Sequence, residues 1–270
     1  MMIDFHTHVF PDKIAERTVA LLAKQGGFPT FSNGFVSGLL EKMEEADVDL
    51  SVNLPVMTSP SQFDSLNRFA AELNQTFADK ERRIISFAGI HPMCEDLEAK
   101  MKWIKEQGFL GVKIHPDYQD TYINAEPYVR ILRAAKEEDL IVVTHAGVDD
   151  GYPHSPVHCT PERTMDLIRK VRHSKFVLAH YGGNRMPEDV FDILAGEDVY
   201  FDTAYLLRFL KKEDFLRILE KHGDDRILFA SDSPWSDIRG DIEIIRSYAL
   251  PTSTEQKILS ENAKKLLGLN

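Results

Sequence analysis

The sequence predicts an α/β protein, a single-domain (β/α)₈ TIM barrel. Eight short apolar runs, bounded by turn residues, alternate with segments whose apolar residues recur at helical spacing. This alternation is typical of parallel strands joined by crossover helices. No Gly-x-Gly-x-x-Gly pattern follows the first run, as an open dinucleotide-binding sheet would require, so a closed barrel is favoured. The predicted strands are Ile3–Phe5, Ser51–Leu54, Ile84–Gly89, Leu110–Ile114, Leu140–Thr144, Phe176–Ala179, Val199–Asp202 and Ile227–Ala230.

The helices predicted between these strands are amphipathic. The segment 62–77 places Phe63, Phe69 and Leu73 on one face, and the segment 97–106 has the same spacing of apolar residues. Such faces are expected to cover the outside of the barrel.

Composition and charge indicate an ordinary globular protein. The 270 residues suit one barrel and no Ser- or Pro-rich linker divides them, so we expect one domain over residues 1–270. A formal net charge of −11 argues against a nucleic-acid partner and leaves a small-molecule substrate and a homo-oligomer open. No run of 18 apolar residues occurs, so we expect no membrane segment and a cytoplasmic location. Cys94 and Cys159 are too few for a disulfide framework and fit a reducing compartment.

The longest irregular segment, residues 147–159, follows the fifth predicted strand and is rich in Asp, Gly, Pro and His. Barrels carry their functional loops on this side, so we predict a lid or specificity loop that includes Cys159. Thr160 is predicted to cap the next helix, with Pro161 as its first residue.

Histidines collect at the C-terminal ends of the predicted strands. His6 and His8 lie two residues apart on the first strand, so both imidazoles point to the same side. That side is the barrel mouth, where characterised barrel enzymes keep their active sites. Scattered core or surface histidines would not gather on one rim. The rim set is His6, His8, His91, His115, His145 and His180.

Alternation along the strands turns further polar side chains towards the same centre. His145 shares its side with Val143, and His180 shares its side with Leu178, so both rings are predicted to point inward. The eighth strand ends at Asp232, which a closed barrel places next to the first strand. We therefore expect this carboxylate beside the first pair of histidines.

Imidazole nitrogens with one carboxylate suit zinc and are acceptable to manganese or iron, whereas calcium and magnesium prefer mostly oxygen ligands. Zinc is the first prediction, with one or two ions per chain. Such an ion lowers the pKa of bound water to about 7 and polarises a carbonyl, which indicates hydrolytic chemistry.

Six motifs of the sequence resemble the amidohydrolase superfamily, and within it the amidohydrolase-related (amidohydrolase 2) branch that contains aminocarboxymuconate semialdehyde decarboxylase. Each motif alone is weak, but together they span the chain in the right order and are specific for the superfamily, not for a substrate. They are Ile3-Asp4-Phe5-His6-Thr7-His8, Gly111-Val112-Lys113-Ile114-His115-Pro116, Thr144-His145-Ala146-Gly147, Ala179-His180-Tyr181-Gly182-Gly183, Ala230-Ser231-Asp232-Ser233-Pro234-Trp235 and Asn262-Ala263-Lys264-Lys265-Leu266-Leu267-Gly268.

The resemblance implies roles for five residues. It implies that His6, His8, His145 and Asp232 bind one metal ion and that Asp232 relays a proton from the metal-bound water. It also implies that His180 either polarises the substrate or binds a second metal.

Lys113 bears on the number of metal ions. Alternation places it on the inward face of the fourth strand with Phe109, Gly111 and His115. In two-metal members of the superfamily a strand-four lysine, carboxylated by carbon dioxide, bridges the ions. The alternative, which we favour because this branch usually uses one ion, is that Lys113 pairs with a barrel carboxylate such as Asp4. Asp4 is also expected to orient a metal-bound imidazole.

Several other residues are candidates for contact with the substrate. His115 points inward by alternation, and Arg163 has a guanidinium that can grip a carboxylate through two hydrogen bonds. Tyr181 and Trp235 directly follow candidate site residues in rim loops, where simple loop packing is the alternative. A nucleophile made of Cys159 and a histidine lacks an orienting residue.

The first functional expectation is a hydrolase of a small amide, lactone or ester, with Asp232 as base and then acid and His180 as electrophilic helper. The alternative is a non-oxidative decarboxylase of a small unsaturated or aromatic carboxylic acid, and a further alternative is a non-catalytic, metal-stabilised barrel. Gly89-Ile90-His91-Pro92 resembles a motif of the TatD deoxyribonucleases, but the acidic charge and the missing strand-four glutamate argue against that group.

Overall fold

The computed structural model describes residues 1–152 and 155–269, and its strands form a parallel barrel. One sheet contains β1 to β3 and a second contains β4 to β9, each in chain order and with parallel neighbours. The strands are β1 (Ile3–Thr7), β2 (Leu50–Asn53), β3 (Arg83–Ser86), β4 (Ala88–Gly89), β5 (Gly111–Ile114), β6 (Ile141–Thr144), β7 (Phe176–Leu178), β8 (Tyr200–Asp202) and β9 (Ile227–Leu228).

Two junctions close the barrel. β3 and β4 belong to one extended run that is interrupted only at Phe87, so together they occupy one strand position. At the other junction β1 bonds to the segment that leaves β9. The backbone N–H of Phe5 donates to the carbonyl of Phe229 at 2.9 Å, and that of Asp232 donates to the carbonyl of His6 at 2.8 Å. The predicted single-domain (β/α)₈ barrel is confirmed.

Helices surround the strands. The predicted helix 97–106 is found with those bounds, whereas 62–77 begins as a 3₁₀ turn and becomes α-helical at Phe63. Among the described helices, none is both long and apolar enough to cross a bilayer. The helices are α1 (Ala15–Gly26), α2 (Val36–Glu45), α3 (Phe63–Phe77), α4 (Leu97–Glu106), α5 (Glu126–Glu137), α6 (Pro161–Lys170), α7 (Pro187–Asp189), α8 (Lys212–His222), α9 (Ile238–Ser247), α10 (Thr252–Gln256) and α11 (Asn262–Leu267), with π-helical turns at Val190–Leu194 and Lys257–Glu261.

The core has an inner and an outer layer. Inside the barrel, strand side chains such as Phe5, Val52 and Val143 pack together with Leu266 of α11. The outer layer lies between the strands and the surrounding helices. Part of the predicted alternation is wrong. Phe109 and Leu178 were expected to point into the barrel, but both pack in the outer layer, as does Phe176.

The C-terminal helical segment is tied to the start of β9 by Asn262. Its side-chain amide donates to the carbonyls of Asp224 at 2.7 Å and of Ile227 at 2.8 Å. These bonds fix the position at which β9 enters the barrel, and Asp232 lies at the far end of the same run. The Asn-Ala motif near the end of the sequence therefore supports the geometry of the rim.

We predict that Asn262→Ala lowers the free energy of unfolding by about 1–3 kcal/mol, because it removes the donor to the buried carbonyl of Ile227 and to the partly buried carbonyl of Asp224. Urea denaturation followed by circular dichroism measures the change. Gln256→Ala, at an exposed position of the same helical segment, is the control and should change stability by less than about 0.5 kcal/mol. Equal midpoints for the two variants would contradict the assignment.

Candidate metal centre

Three ligand atoms converge where β1 meets the segment after β9. Nε2 of His6 lies 3.2 Å from Nε2 of His8, and Oδ1 of Asp232 lies 3.0 Å from His8 Nε2 and 3.4 Å from His6 Nε2. The backbone of Asp232 is left-handed, with φ of 70°, which turns its carboxylate back towards β1. The three side chains form a group that could hold a metal ion.

The ring of His6 is oriented by Asp202, a residue that the sequence analysis did not select. Nδ1 of His6 lies 2.9 Å from Oδ2 of Asp202, so a proton on Nδ1 leaves a lone pair on Nε2. Burial lowers the pKa of His6 well below its ordinary value, which keeps the ring neutral. This is the state in which imidazole binds a metal.

Asp4 does not orient an imidazole, contrary to the expectation from the sequence. Its carboxylate accepts hydrogen bonds from the backbone N–H of Ser231 at 2.9 Å and from the Ser231 hydroxyl at 2.5 Å. Burial raises the pKa of Asp4 to about 7. The side chain instead links β1 to the segment that carries the neighbouring Asp232.

Lys113 lies beside the ligand group and not beside Asp4. Its Nζ is 3.0 Å from Nε2 of His6, and the side chain is 1% exposed. Burial lowers its pKa to about 8, while the charges of Asp202, Asp232 and Asp149 act in the opposite direction. The predicted pair with Asp4 is therefore wrong, and Lys113 places an amine at the floor of the site.

His145 and His180 meet on the other side of the centre. The carbonyl of Ala204 lies 3.0 Å from Nδ1 of His180, so this nitrogen carries a proton and Nε2 has a lone pair. That Nε2 is 2.9 Å from Nδ1 of His145. If His145 carries its proton on Nε2, which faces the carboxylate of Asp117 at 3.9 Å, two lone pairs face each other. A cation between them would satisfy both, so these rings fit a metal as well.

The ring of His180 reaches the centre by a route that strand alternation does not predict. β7 ends at Leu178, and both His180 and Tyr181 have left-handed backbone, with φ of 55° and 56°. This turn directs His180 inward and Tyr181 outward. The hydroxyl of Tyr181 donates to the carbonyl of Phe215 at 3.2 Å in the outer layer, which places Tyr181 away from the cavity and not at the predicted contact with the substrate.

His115 and Asp149 form a second group of ligand type together with His145. Nε2 of His115 lies 3.2 Å from Oδ2 of Asp149, and the backbone N–H of Tyr118 donates to its Nδ1 at 3.3 Å. The rings of His115 and His145 are stacked at 4.2 Å with planes 14° apart. The lone pairs of stacked rings lie in two parallel planes, so His115 and His145 cannot both direct a lone pair at one ion. The His115–Asp149 pair therefore fits proton exchange better than metal binding.

Two further candidates lie away from the centre. The guanidinium of Arg163 stacks on Tyr122 at 4.5 Å and donates to the carbonyl of Val157 at 3.3 Å, which places it away from the cavity and not at the predicted contact with a substrate carboxylate. The thiol of Cys159 lies 3.4 Å from the hydroxyl of Thr164. Burial raises its pKa to about 12, which keeps the thiol protonated near neutral pH.

The predicted specificity loop, residues 147–159, contributes to the site. Asp149 and Tyr152 line the cavity above the metal-type group. Asp150 fastens the loop to the rim by accepting hydrogen bonds from Tyr205 at 2.9 Å and from Arg185 at 2.6 and 2.9 Å. His154, also part of the predicted loop, lies outside the described residues.

A cavity of about 670 Å³ opens above the centre. Its floor consists of His6, His8, Lys113, His115, His145, His180 and Asp232, and its walls are mostly apolar. Trp235, a predicted substrate contact, belongs to these walls. The apolar and aromatic wall residues include Val9, Phe10, Ile14, Leu21, Leu22, Phe28, Pro55, Val56, Leu66, Phe69, Tyr118, Tyr152, Tyr205 and Trp235.

A comparison with protein families settles the membership of the chain. The family model described as Amidohydrolase matches residues 3–269. The chain belongs to the amidohydrolase family. The match is to the amidohydrolase 2 branch, so the resemblance predicted from the six motifs is confirmed. No curated protein sequence matches the chain.

Several solved structures have the same fold and align with almost the whole length of this chain. A protein described as an amidohydrolase, from Staphylococcus aureus, is 20% identical over 99% of each chain, with a TM-score of 0.73. A dihydroxybenzoic acid decarboxylase from Polaromonas, with bound manganese and the inhibitor 2-nitroresorcinol, is 15% identical over 99% of this chain and 96% of that one, with a TM-score of 0.72. A 5-carboxyvanillate decarboxylase from Novosphingobium aromaticivorans, with manganese and a nitrobenzoic acid, is 14% identical over 100% and 96%, with a TM-score of 0.75.

We predict that the protein purified without chelator carries about one equivalent of a divalent metal and that replacing both His6 and His8 by alanine removes it. Elemental analysis for zinc, manganese, iron and nickel measures the content. His91→Ala changes a rim histidine outside this ligand group and should retain the metal. A parent protein that stays metal-free after incubation with zinc and manganese would contradict the prediction.

Asp117 is predicted to raise metal affinity by orienting His145. Within the described residues, neither Oδ2 of Asp117 nor Nε2 of His145 has a hydrogen-bond partner, although both atoms are buried. A carboxylate behind a ligating imidazole contributes about 10- to 100-fold in metal affinity. Asp117→Asn should raise the dissociation constant of the metal by this factor in a chelator competition assay. Asp79→Asn, at an exposed position away from His145, is the control, and equal affinities would refute the role.

Proposed function

We propose that this amidohydrolase is a metal-dependent, non-oxidative decarboxylase of a small aromatic or unsaturated carboxylic acid. The observation that carries the proposal is the division of the cavity into a polar floor and apolar, aromatic walls. This division fits a ligand with a charged end and a flat apolar body. The two manganese-containing decarboxylases of the same fold support it further.

The proposed ligands of the ion are His6, His8, His145 and Asp232. The donor set of three imidazoles and one carboxylate fits zinc or manganese, and manganese is present in the similar decarboxylases. When bound, the ion supplies Lewis-acid charge that holds and polarises a substrate oxygen.

The residues around the ligands supply the rest of the chemistry. The amine of Lys113, when protonated, attracts the anionic end of the substrate to the floor, and the apolar walls exclude water from its ring. Decarboxylation breaks the bond between the ring carbon and the carboxylate carbon, leaves the electron pair on the ring carbon and releases carbon dioxide. A proton from water must then be added to that carbon, and Asp232, which is part of the floor, is placed to relay it.

Hydrolysis of an amide, lactone or ester was the first expectation from the sequence, and it would use the same floor. The apolar walls favour the decarboxylase, because a carboxylated ring buries its whole body against such walls. The two reactions differ in what they release, so a direct assay separates them.

We predict that the manganese- or zinc-loaded protein releases carbon dioxide from at least one hydroxybenzoate or hydroxycinnamate-type acid, in equal amounts with the decarboxylated product. In D₂O the product should carry one deuterium at the former carboxylate position. Lys113→Met should lower kcat by about 10²-fold while retaining the metal, because one charged group that stabilises the reacting anion is lost.

The control for this assay is Met93→Ala, an exposed position outside the cavity. Hydrolysis of lactones, esters or amides without any release of carbon dioxide would overturn the proposed reaction. An unchanged kcat for Lys113→Met would refute the proposed stabilisation of the reacting anion by Lys113.

A further inference from the structure

The cavity extends well beyond the floor on the side of α1. Its volume of about 670 Å³ lies in the range of sites for drug-sized ligands. A single carboxylated ring resting on the floor would leave the outer part of such a cavity empty. The shape of the outer part therefore carries information about the remainder of the substrate.

Two apolar side chains of the outer wall are largely exposed. Ile14 and Leu21 are 42% and 60% exposed, and both line the cavity. Within α1, only Ala15 and Val19 are buried. Ile14 and Leu21 therefore line the cavity and do not pack into the barrel core.

Aromatic contacts connect this side of the cavity to the rest of its wall. Phe28, which follows α1, meets Trp235 edge to face at 5.3 Å and Tyr205 at 6.0 Å. Leu22 packs in the same small cluster. We call the surface made by Ile14, Leu21, Leu22 and Phe28 the α1 wall.

The α1 wall is held in place and carries little charge. The amide of Gln25 donates to the carbonyl of Gly151 at 3.0 Å, which joins the end of α1 to the loop on the opposite side of the mouth. Lys13 and Asp150 also line the cavity, and Asp150 is paired with Arg185. The four side chains of the α1 wall are hydrocarbon and suit an apolar group.

We propose that the substrate carries an alkyl or aryl extension on the side away from its carboxylate and that this extension lies along the α1 wall. This inference rests on the proposed function, because it places the carboxylate on the floor. The substrate class is an aromatic or unsaturated acid with an apolar substituent, in contrast to a small polar phenolic acid.

Calorimetric binding of 4-alkyl-2-hydroxybenzoates to the manganese-loaded protein tests the proposal. Each methylene added between methyl and hexyl should tighten Kd by about three- to fourfold, as expected for burial of a methylene group. Leu21→Glu and Ile14→Glu should weaken binding of the hexyl compound at least tenfold and leave the methyl compound within twofold. Both positions are already exposed, so the substitutions should not unfold the protein.

Met93→Glu is the matched control, because Met93 is 63% exposed and does not line the cavity. Equal affinity across the series would overturn the inference. If the affinities are equal and sedimentation analysis also shows a dimer that Leu21→Glu dissociates, the α1 wall is covered by a second copy of the chain. That result would also overturn the inference.

The two proposals can fail separately. Chain-length-dependent binding without release of carbon dioxide from any member would refute the decarboxylase and support the α1 wall as a binding surface. Release of carbon dioxide from unsubstituted acids, with no effect of chain length on binding, would refute the extension and support the decarboxylase.

Discussion

The buried carboxylate of Asp202 is the interaction on which the geometry of the site depends. Its Oδ2 lies 2.9 Å from the ring of His6, and its Oδ1 accepts the backbone N–H groups of His180 and Ala204 at 2.9 and 3.1 Å. One side chain thus joins the ends of β1, β7 and β8. Burial raises its pKa, and the hydrogen bonds offset the cost of removing the carboxylate from water. The tautomer of His6 and the turn at His180 both follow from this contact.

The floor of the cavity is rich in polar atoms but low in charge. Burial lowers the pKa of His6, His115 and His145, so these rings are neutral near pH 7. His6 and His145 offer lone pairs to a cation, while Lys113 offers a proton-bearing group to an anion. Because the walls above them are apolar, interactions on the floor act with little screening by water. A metal ion and an acidic substrate can therefore share one small space.

The fold could be predicted from the sequence because periodicity reports directly on strands and helices, and the rim position of the histidines followed from the fold. His145 obeyed simple alternation, since β6 continues to Thr144 with Val143 inward. His180 did not, because the left-handed backbone after β7 redirects the chain, and no pattern in the sequence encodes that turn. Asp202 was visible only as an aspartate at a strand end. Its partners are distant in sequence, so pattern reading could not supply them.

The contact of His8 with Asp232 joins residues that are 224 positions apart in the sequence. During synthesis on the ribosome, the first strand is made long before the segment that completes both the barrel seam and the ligand group. Until then β1 has an unpaired edge and its histidines lack their carboxylate neighbour. The entropy of closing so long a loop grows only logarithmically with its length, so the late partner costs little stability. It does make the assembly of the site a late event in folding, dependent on contacts of high sequence separation.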